Sequence, residues 1–173
     1  NAGLGWESTA QYDIGLDASF FNGRLGFTFD YFDKQTSDLL LNSNVPGYTG
    51  FTTVTRNIGE VRNRGLEFAL NALVFDTPSG FRWDVNLNVS TIENEVTRLE
   101  QNPEIFNSYI LQEGAPLGTF FLIHWEGIDP ETGNSVFEDV NGDGNINADD
   151  AQPVLDRTVW PDFFGGFTNS FSF

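Results

Sequence analysis

The chain has 173 residues, and 25 Asp and Glu against 8 Lys and Arg give a formal charge of −17, which excludes charge-driven binding to nucleic-acid phosphates or anionic headgroups. It has no Cys, so disulfides, thiolate metal sites and cysteine nucleophiles are excluded, and no apolar run approaches the roughly 20 residues of a helical membrane span. Charged residues make up only 19% of a chain with 18 Phe, a balance that points to ordered, aromatic-rich β structure rather than an acidic disordered tail.

The first predicted strand is QYDIGLDASFF, residues 11–21. Tyr12, Ile14, Leu16, Ala18 and Phe20 share one face, and Asp13, Gly15, Asp17 and Ser19 the other. Asn22-Gly23 suits the positive φ angles of a tight hairpin turn, so the chain is expected to fold straight back. RLGFTFDYF then sets Leu25, Phe27, Phe29 and Tyr31 against Gly26, Thr28 and Asp30. Residues 42–56 contain Pro46, Gly47 and Gly50 and read as a long loop. Alternation resumes in GLEFALNALVF, and after DTPSG in FRWDVNLNVST, where Phe81, Trp83, Val85, Leu87 and Val89 oppose Arg82, Asp84, Asn86, Asn88 and Ser90; this predicts a second hairpin. Residues 93–116 lose the pattern, GTFFLIHWEGI is a further strand, and FFGGFTNSFSF alternates Phe167, Asn169, Phe171 and Phe173 with Thr168, Ser170 and Ser172. No helical period persists long enough to predict a helix.

The fold class is therefore all-β, with antiparallel strands and long loops. Alternation by itself fits both a soluble sandwich and a wall of a transmembrane barrel. Two details favour the barrel. The polar faces carry Asn, Asp, Ser, Thr and Gly rather than the Lys and Glu of a solubilised sheet, and aromatics recur at strand ends, at Phe20, Phe21, Tyr31, Phe32, Phe75 and Phe81, as interfacial girdles require.

Four spaced segments carry a resemblance: LGWESTAQYDIGLDASFFNGRLGFTFDYFDKQTSDLLL, NIGEVRNRGLEF, EGAPLGTFF and WPDFFGGFTNSFSF. In this order they resemble the late barrel segments of SusC/RagA-type TonB-dependent outer-membrane transporters. The resemblance implies a 22-stranded barrel with an N-terminal plug in the outer membrane of a Gram-negative cell. It implies import of glycans or peptides, energised by the TonB system and assisted by a SusD-like surface lipoprotein lid, with membrane lipid around the wall. No TonB box, plug or closing strand is recognised, and about six strands are too few to close such a barrel, so residues 1–173 are expected to be one partial barrel domain of a larger chain. The competing expectation is a soluble, secreted β-sandwich that binds carbohydrate and carries a structural calcium.

EDVNGDGNINADD, residues 138–150, departs from the strand pattern. Asp139, Asn141, Asp143, Gly144, Asn145, Ile146 and Asp150 fit D-x-N-x-D-G-x-I-x-x-x-D, the spacing of EF-hand and dockerin-like calcium loops. The predicted metal residues are Asp139, Asn141, Asp143, Asn145 (through its carbonyl) and Asp150, in a calcium-loop-like insertion over 139–150. Calcium takes hard oxygens and the motif offers no soft donor, so a structural Ca2+ is expected; Asp150 stands where a longer Glu commonly binds bidentately. The bland alternative is an acidic, solvated turn.

Little supports an enzyme. The one imidazole, His124, lies in a predicted strand between Ile123 and Trp125, and a catalytic triad cannot be argued from it. Twenty-five acidic residues make chance carboxylate pairs uninformative. Asn88-Val89-Ser90 matches a glycosylation acceptor inside a predicted strand, where the match reads as accidental. Tyr48, Phe51, Phe106 and Tyr109 offer ring faces to a sugar or, equally, pack within their own loops, so no substrate contact is assigned.

Overall fold

The computed structural model describes residues 3–100 and 103–173. The strands are β1 (Ser8–Phe20), β2 (Leu25–Asn44), β3 (Thr53–Asp76), β4 (Arg82–Ser90), β5 (Glu93–Leu99), β6 (Glu104–Phe106), β7 (Tyr109–Leu111), β8 (Thr119–Ile123), β9 (Trp125–Ile128), β10 (Ser135–Phe137), β11 (Ala151–Val154) and β12 (Phe164–Ser172). Among the described residues the helical structure consists of two single 3-10 turns, Gly47–Thr49 and Ala148–Asp150, so the all-β expectation holds.

The wall is one antiparallel sheet in the order β1-β2-β3-β4-β12, with β5 pairing the remaining length of β3. β4 and β5 behave as one interrupted strand. β4 covers Glu67 to Asp76 of β3 and β5 covers Gly59 to Arg64. Across the gap, the Thr91 hydroxyl accepts the Leu66 N–H at 3.1 Å while the Thr91 N–H reaches the Leu66 carbonyl at 2.9 Å. The ladder therefore survives the break.

At one end of the wall the connections are short. Phe21 and Asn22, with φ of 55° and 57°, occupy the centre of a turn closed by the Gly23 N–H on the Phe20 carbonyl at 3.2 Å. The hairpin thus exists, but its central pair lies one residue earlier than Asn22-Gly23. A second short turn joins β3 to β4 through residues 77–81. We call this the lower end.

At the upper end the expected loop over 42–56 is shorter. β2 runs on to Asn44 and β3 starts at Thr53, because the Thr-Val-Thr run can pair and the Thr55 hydroxyl bonds the Asn42 side chain at 2.8 Å. The second upper connection is the large one. Residues 103–163 form a four-stranded sheet ordered β11-β8-β7-β6 and a β9-β10 hairpin. The predicted strand GTFFLIHWEGI is broken at His124 into β8, which joins this sheet, and β9, which pairs β10. The buried apolar cluster is small, built from Val61, Val96 and Leu111, with Leu39, Leu41, Leu99 and Leu117 packed on it.

Candidate functional site

Strand register decides which side chains share a face. Ile14, Leu16 and Ala18 lie opposite Tyr31, Phe29 and Phe27; these face Leu66, Phe68 and Leu70; and Phe68, Leu70 and Ala72 meet Val89, Leu87 and Val85. This face remains open to the surroundings, with Ile14 70%, Leu16 57% and Phe167 65% exposed. In a sandwich these residues would sit in a dry core against a second sheet, so the geometry disfavours that fold.

The apolar band has two edges. At its lower edge Phe75, Trp83 and Phe171 stack in sequence, with ring centroids 5.9 and 5.6 Å apart, and Phe81 lies 6.4 Å from Phe171. Asn169, placed on this face opposite Val85, is satisfied by the Trp83 indole N–H at 3.1 Å. At the upper edge Tyr12 and Tyr31 are followed at once by ion pairs. Arg62 holds Asp33, Arg64 holds Glu93 at 2.7 Å, and Arg98 bridges Glu60 at 3.3 Å and Glu100 at 2.8 Å. From Leu66 to Phe75 is nine residues along β3, or about 30 Å of strand, which at a tilt of ~40° spans about 23 Å. That height matches the ~25 Å apolar band of outer-membrane barrels. Phe32, one of the aromatics expected in a girdle, instead points to the other face, where its ring would lie 2.7 Å from a Cβ built on Gly65.

The opposite face is polar. Asp13, Asp17, Thr28, Asp30, Glu67, Asn71, Asp84, Asn86 and Asn88 alternate with the band, and Thr28 donates to Asp17 at 2.6 Å. Over the upper part of this face sits the 103–163 excursion. Asn94 donates to the Asn63 side-chain oxygen at 2.7 Å and accepts the Leu117 N–H at 2.7 Å, and the Leu117 carbonyl accepts the Trp160 indole N–H at 2.9 Å. Three of the four sequence segments quoted above, those holding Asn63, Leu117 and Trp160, meet in this one chain of bonds. Sequence reasoning missed Asn63, Asn94 and Trp160, since a pattern of faces carries no information about which loop returns to which strand.

The acidic loop folds around Asp139. Its carboxylate accepts the backbone N–H groups of Gly142, Asp143 and Gly144 at 2.7, 3.2 and 2.8 Å. Gly142 and Gly144 take φ of 71° and 81°, which bends the backbone around that carboxylate. The Asn141 side chain bonds both the Asp143 N–H at 2.9 Å and the Asp143 carboxylate at 3.2 Å, and the Asn145 carbonyl accepts the Asn147 side-chain N–H at 3.2 Å. Asp150 is fully buried, and its two oxygens clamp the Val140 N–H at 3.1 Å and the Asn147 N–H at 2.8 Å. The structure thus winds Asp139, Asn141, Asp143 and Asn145 into one short loop and uses Asp150 to close its neck. Among the described residues it does not gather three or more His, Cys, Asp and Glu side chains around one point.

The other singled-out residues fall apart from each other. His124 lies between β8 and β9 with Nδ1 3.3 Å from Glu138, which also accepts Gln152 at 2.6 Å. Tyr109 stacks on Phe120 at 5.3 Å and, with Phe106, lines a cleft of ≈ 290 Å³ against Leu41. Tyr48 is exposed at the tip of the 45–52 loop. In the β9-β10 turn, Asp129 accepts the Glu131 N–H at 2.8 Å and the Thr132 N–H at 3.3 Å, bonds that hold its carboxyl below its ordinary pKa.

Comparison with known proteins agrees with this geometry. Residues 1–172 match the family model described as TonB dependent receptor-like, beta-barrel. The chain is 35% identical to a TonB-dependent receptor of Formosa agariphila over 100% of its own length and 20% of the relative, and 31% identical to the TonB-dependent receptor SusC of Bacteroides thetaiotaomicron over 87% and 17%. It superimposes on the RagAB peptide transporter with a TM-score of 0.86 at 26% identity, covering 99% of the chain and 20% of that structure. The chain thus spans about a fifth of the length of the curated relatives it matches. An open antiparallel sheet with a belted apolar face, matched by family, relatives and fold alike, belongs to the TonB-dependent receptor-like β-barrel family.

Proposed function

We propose that residues 1–173 are a wall segment, with its large upper excursion, of an outer-membrane importer driven through TonB and working with a SusD-like surface lipoprotein. The observation that carries this reading is the apolar face, bounded below by stacked aromatics and above by ion pairs. By the rule that barrels of this class have short periplasmic turns and long extracellular loops, the lower end faces the periplasm and the excursion the outside. The polar face is then the lumen. Function is gated passage of a glycan or peptide rather than bond chemistry. Between Arg98 and Arg157 the chain holds Asp and Glu but no Lys or Arg, so this mouth favours uncharged or cationic substrates over polyanionic ones. The test is made on the full-length protein: it partitions into detergent, migrates with heat-modifiable mobility, and supports uptake only in cells with a working TonB. A product that is monomeric and soluble without detergent would sink the reading.

We also propose that the 139–150 loop holds a structural Ca2+. The supporting observation is the donor set: Asp139 and Asp143 carboxylates, the Asn141 amide and the Asn145 carbonyl in one tight loop, all hard oxygens. Calcium would supply positive charge that draws these oxygens together, while Asp150 fixes the neck. Calcium titration of the full-length protein should give a saturable signal that disappears in Asp139→Ala and Asp143→Ala; an unchanged response in both ends the proposal.

A further inference from the structure

The excursion over residues 103–163 does not lean away from the wall. Val61 and Val96 are cross-strand partners on the polar face, and both are buried beneath Leu111 of the excursion. Backbone bonds fasten the contact: the Val96 N–H donates to the Ala115 carbonyl at 2.9 Å and the Gly114 N–H to the Val96 carbonyl at 2.8 Å. Val96 and Ala115 are each 1% exposed, so the contact is dry.

Beside this apolar seal runs the polar chain Asn63, Asn94, Leu117 and Trp160. Asn94 is buried, and both ends of its amide are satisfied, the nitrogen by the wall and the oxygen by the excursion. A buried amide bonded at both ends specifies one geometry, because displacement strands it without its partners. The chain ties β3 and β5 of the wall to the outgoing limb at Leu117 and the returning limb at Trp160.

We propose that this arrangement is a latch, with Asn94 and Trp160 as positioning residues, that makes the excursion a fixed constriction of the lumen mouth and not a moving gate. The proposal rests on reading the polar face as the lumen. It is tested in the full-length transporter with any other cysteines replaced by serine, so that Val96→Cys with Ala115→Cys introduces the only pair. Oxidation should cross-link this pair and leave uptake unchanged. Failure to cross-link in the folded protein, or a loss of uptake that reductant restores, would overturn the latch, the second result by showing that the excursion must move. In parallel, Asn94→Leu and Trp160→Phe should raise protease nicking within 103–163 by about tenfold, as expected from losing one or two buried hydrogen bonds. They should also raise single-channel conductance while the heat-modifiable band is retained. Unchanged nicking and conductance with that band retained would equally overturn the proposal. Absence of heat-modifiable migration in the unsubstituted protein would instead count against the barrel reading.

Discussion

Leu87 and Asn86 are adjacent in β4 yet belong to opposite faces, which makes them a matched pair for testing the orientation of the wall. Leu87 lies between Leu70 and Phe167 in the apolar band, whereas Asn86 lies between Asn71 and Thr168 on the polar face. From the Trp83 girdle to Leu87 is four residues, about 13 Å along the strand, or about 10 Å of depth at a tilt of ~40°. Within a band about 23 Å tall this is near the midplane, where an arginine on the lipid face costs about 2–4 kcal/mol. Leu87→Arg should therefore lower the folding equilibrium constant of the full-length protein in lipid vesicles by ~30-fold or more, since about 1.4 kcal/mol is a factor of ten. Asn86→Arg should cost under about 1 kcal/mol, because a lumen-facing side chain stays in water. Urea titrations followed by heat-modifiable migration measure both. Equal costs, or a larger cost at Asn86, would refute the assignment of faces.

Three further outcomes follow from the geometry. Gly65→Ala should destabilise the wall by about 1–3 kcal/mol, because the new methyl meets the Thr91 backbone carbonyl as well as the Phe32 ring; adding Phe32→Ala should fail to restore folding, and full rescue would show that only the ring mattered. The Trp83 to Asn169 bond should appear in a double-mutant cycle of Trp83→Phe and Asn169→Leu as a coupling of about 0.5–1.5 kcal/mol, and strict additivity would deny it. Asp129 has a depressed pKa in the folded state, so its support of the β9-β10 turn is present above its ordinary value of 3.8 and lost as pH falls through the lower folded value. The protection factors of the Glu131 and Thr132 amides, which correct for the intrinsic pH dependence of exchange, should fall over that acidic window and lose this step in Asp129→Asn; identical protection profiles would refute the assignment.

The wall is legible in the sequence because a strand with one lipid face and one wet face must alternate, and the runs around Ile14, Leu16, Phe27, Phe68 and Leu87 do so. Departures occur where other contacts outweigh alternation. Phe32 breaks the girdle expectation because Gly65 leaves room for its ring on the polar side. Residues 93–99 lost their pattern because Asn94 and Val96 both face the excursion, one bonded and one packed, so polarity no longer reports the face. The 45–52 loop was overestimated because Pro46, Gly47 and Gly50 signal a turn but not where the flanking strands stop. The acidic motif was recognised by spacing, yet the clamp role of Asp150 depends on Val140 and Asn147, which the motif leaves unspecified.

On the reading proposed above, the ion-pair belt climbs from Asp33 to the level of Leu39, where Glu60 and Arg98 pair, and β2 runs five residues further to Asn44, about 17 Å of strand or about 13 Å of height at ~40° of tilt. In that orientation the rim stands clear of the apolar band like a chimney, with Tyr48 91% exposed on its lip. With the orientation proposed above, this lip is an epitope on intact cells: an antibody raised to residues 45–52 should bind them without permeabilisation, and binding only after permeabilisation would overturn that orientation.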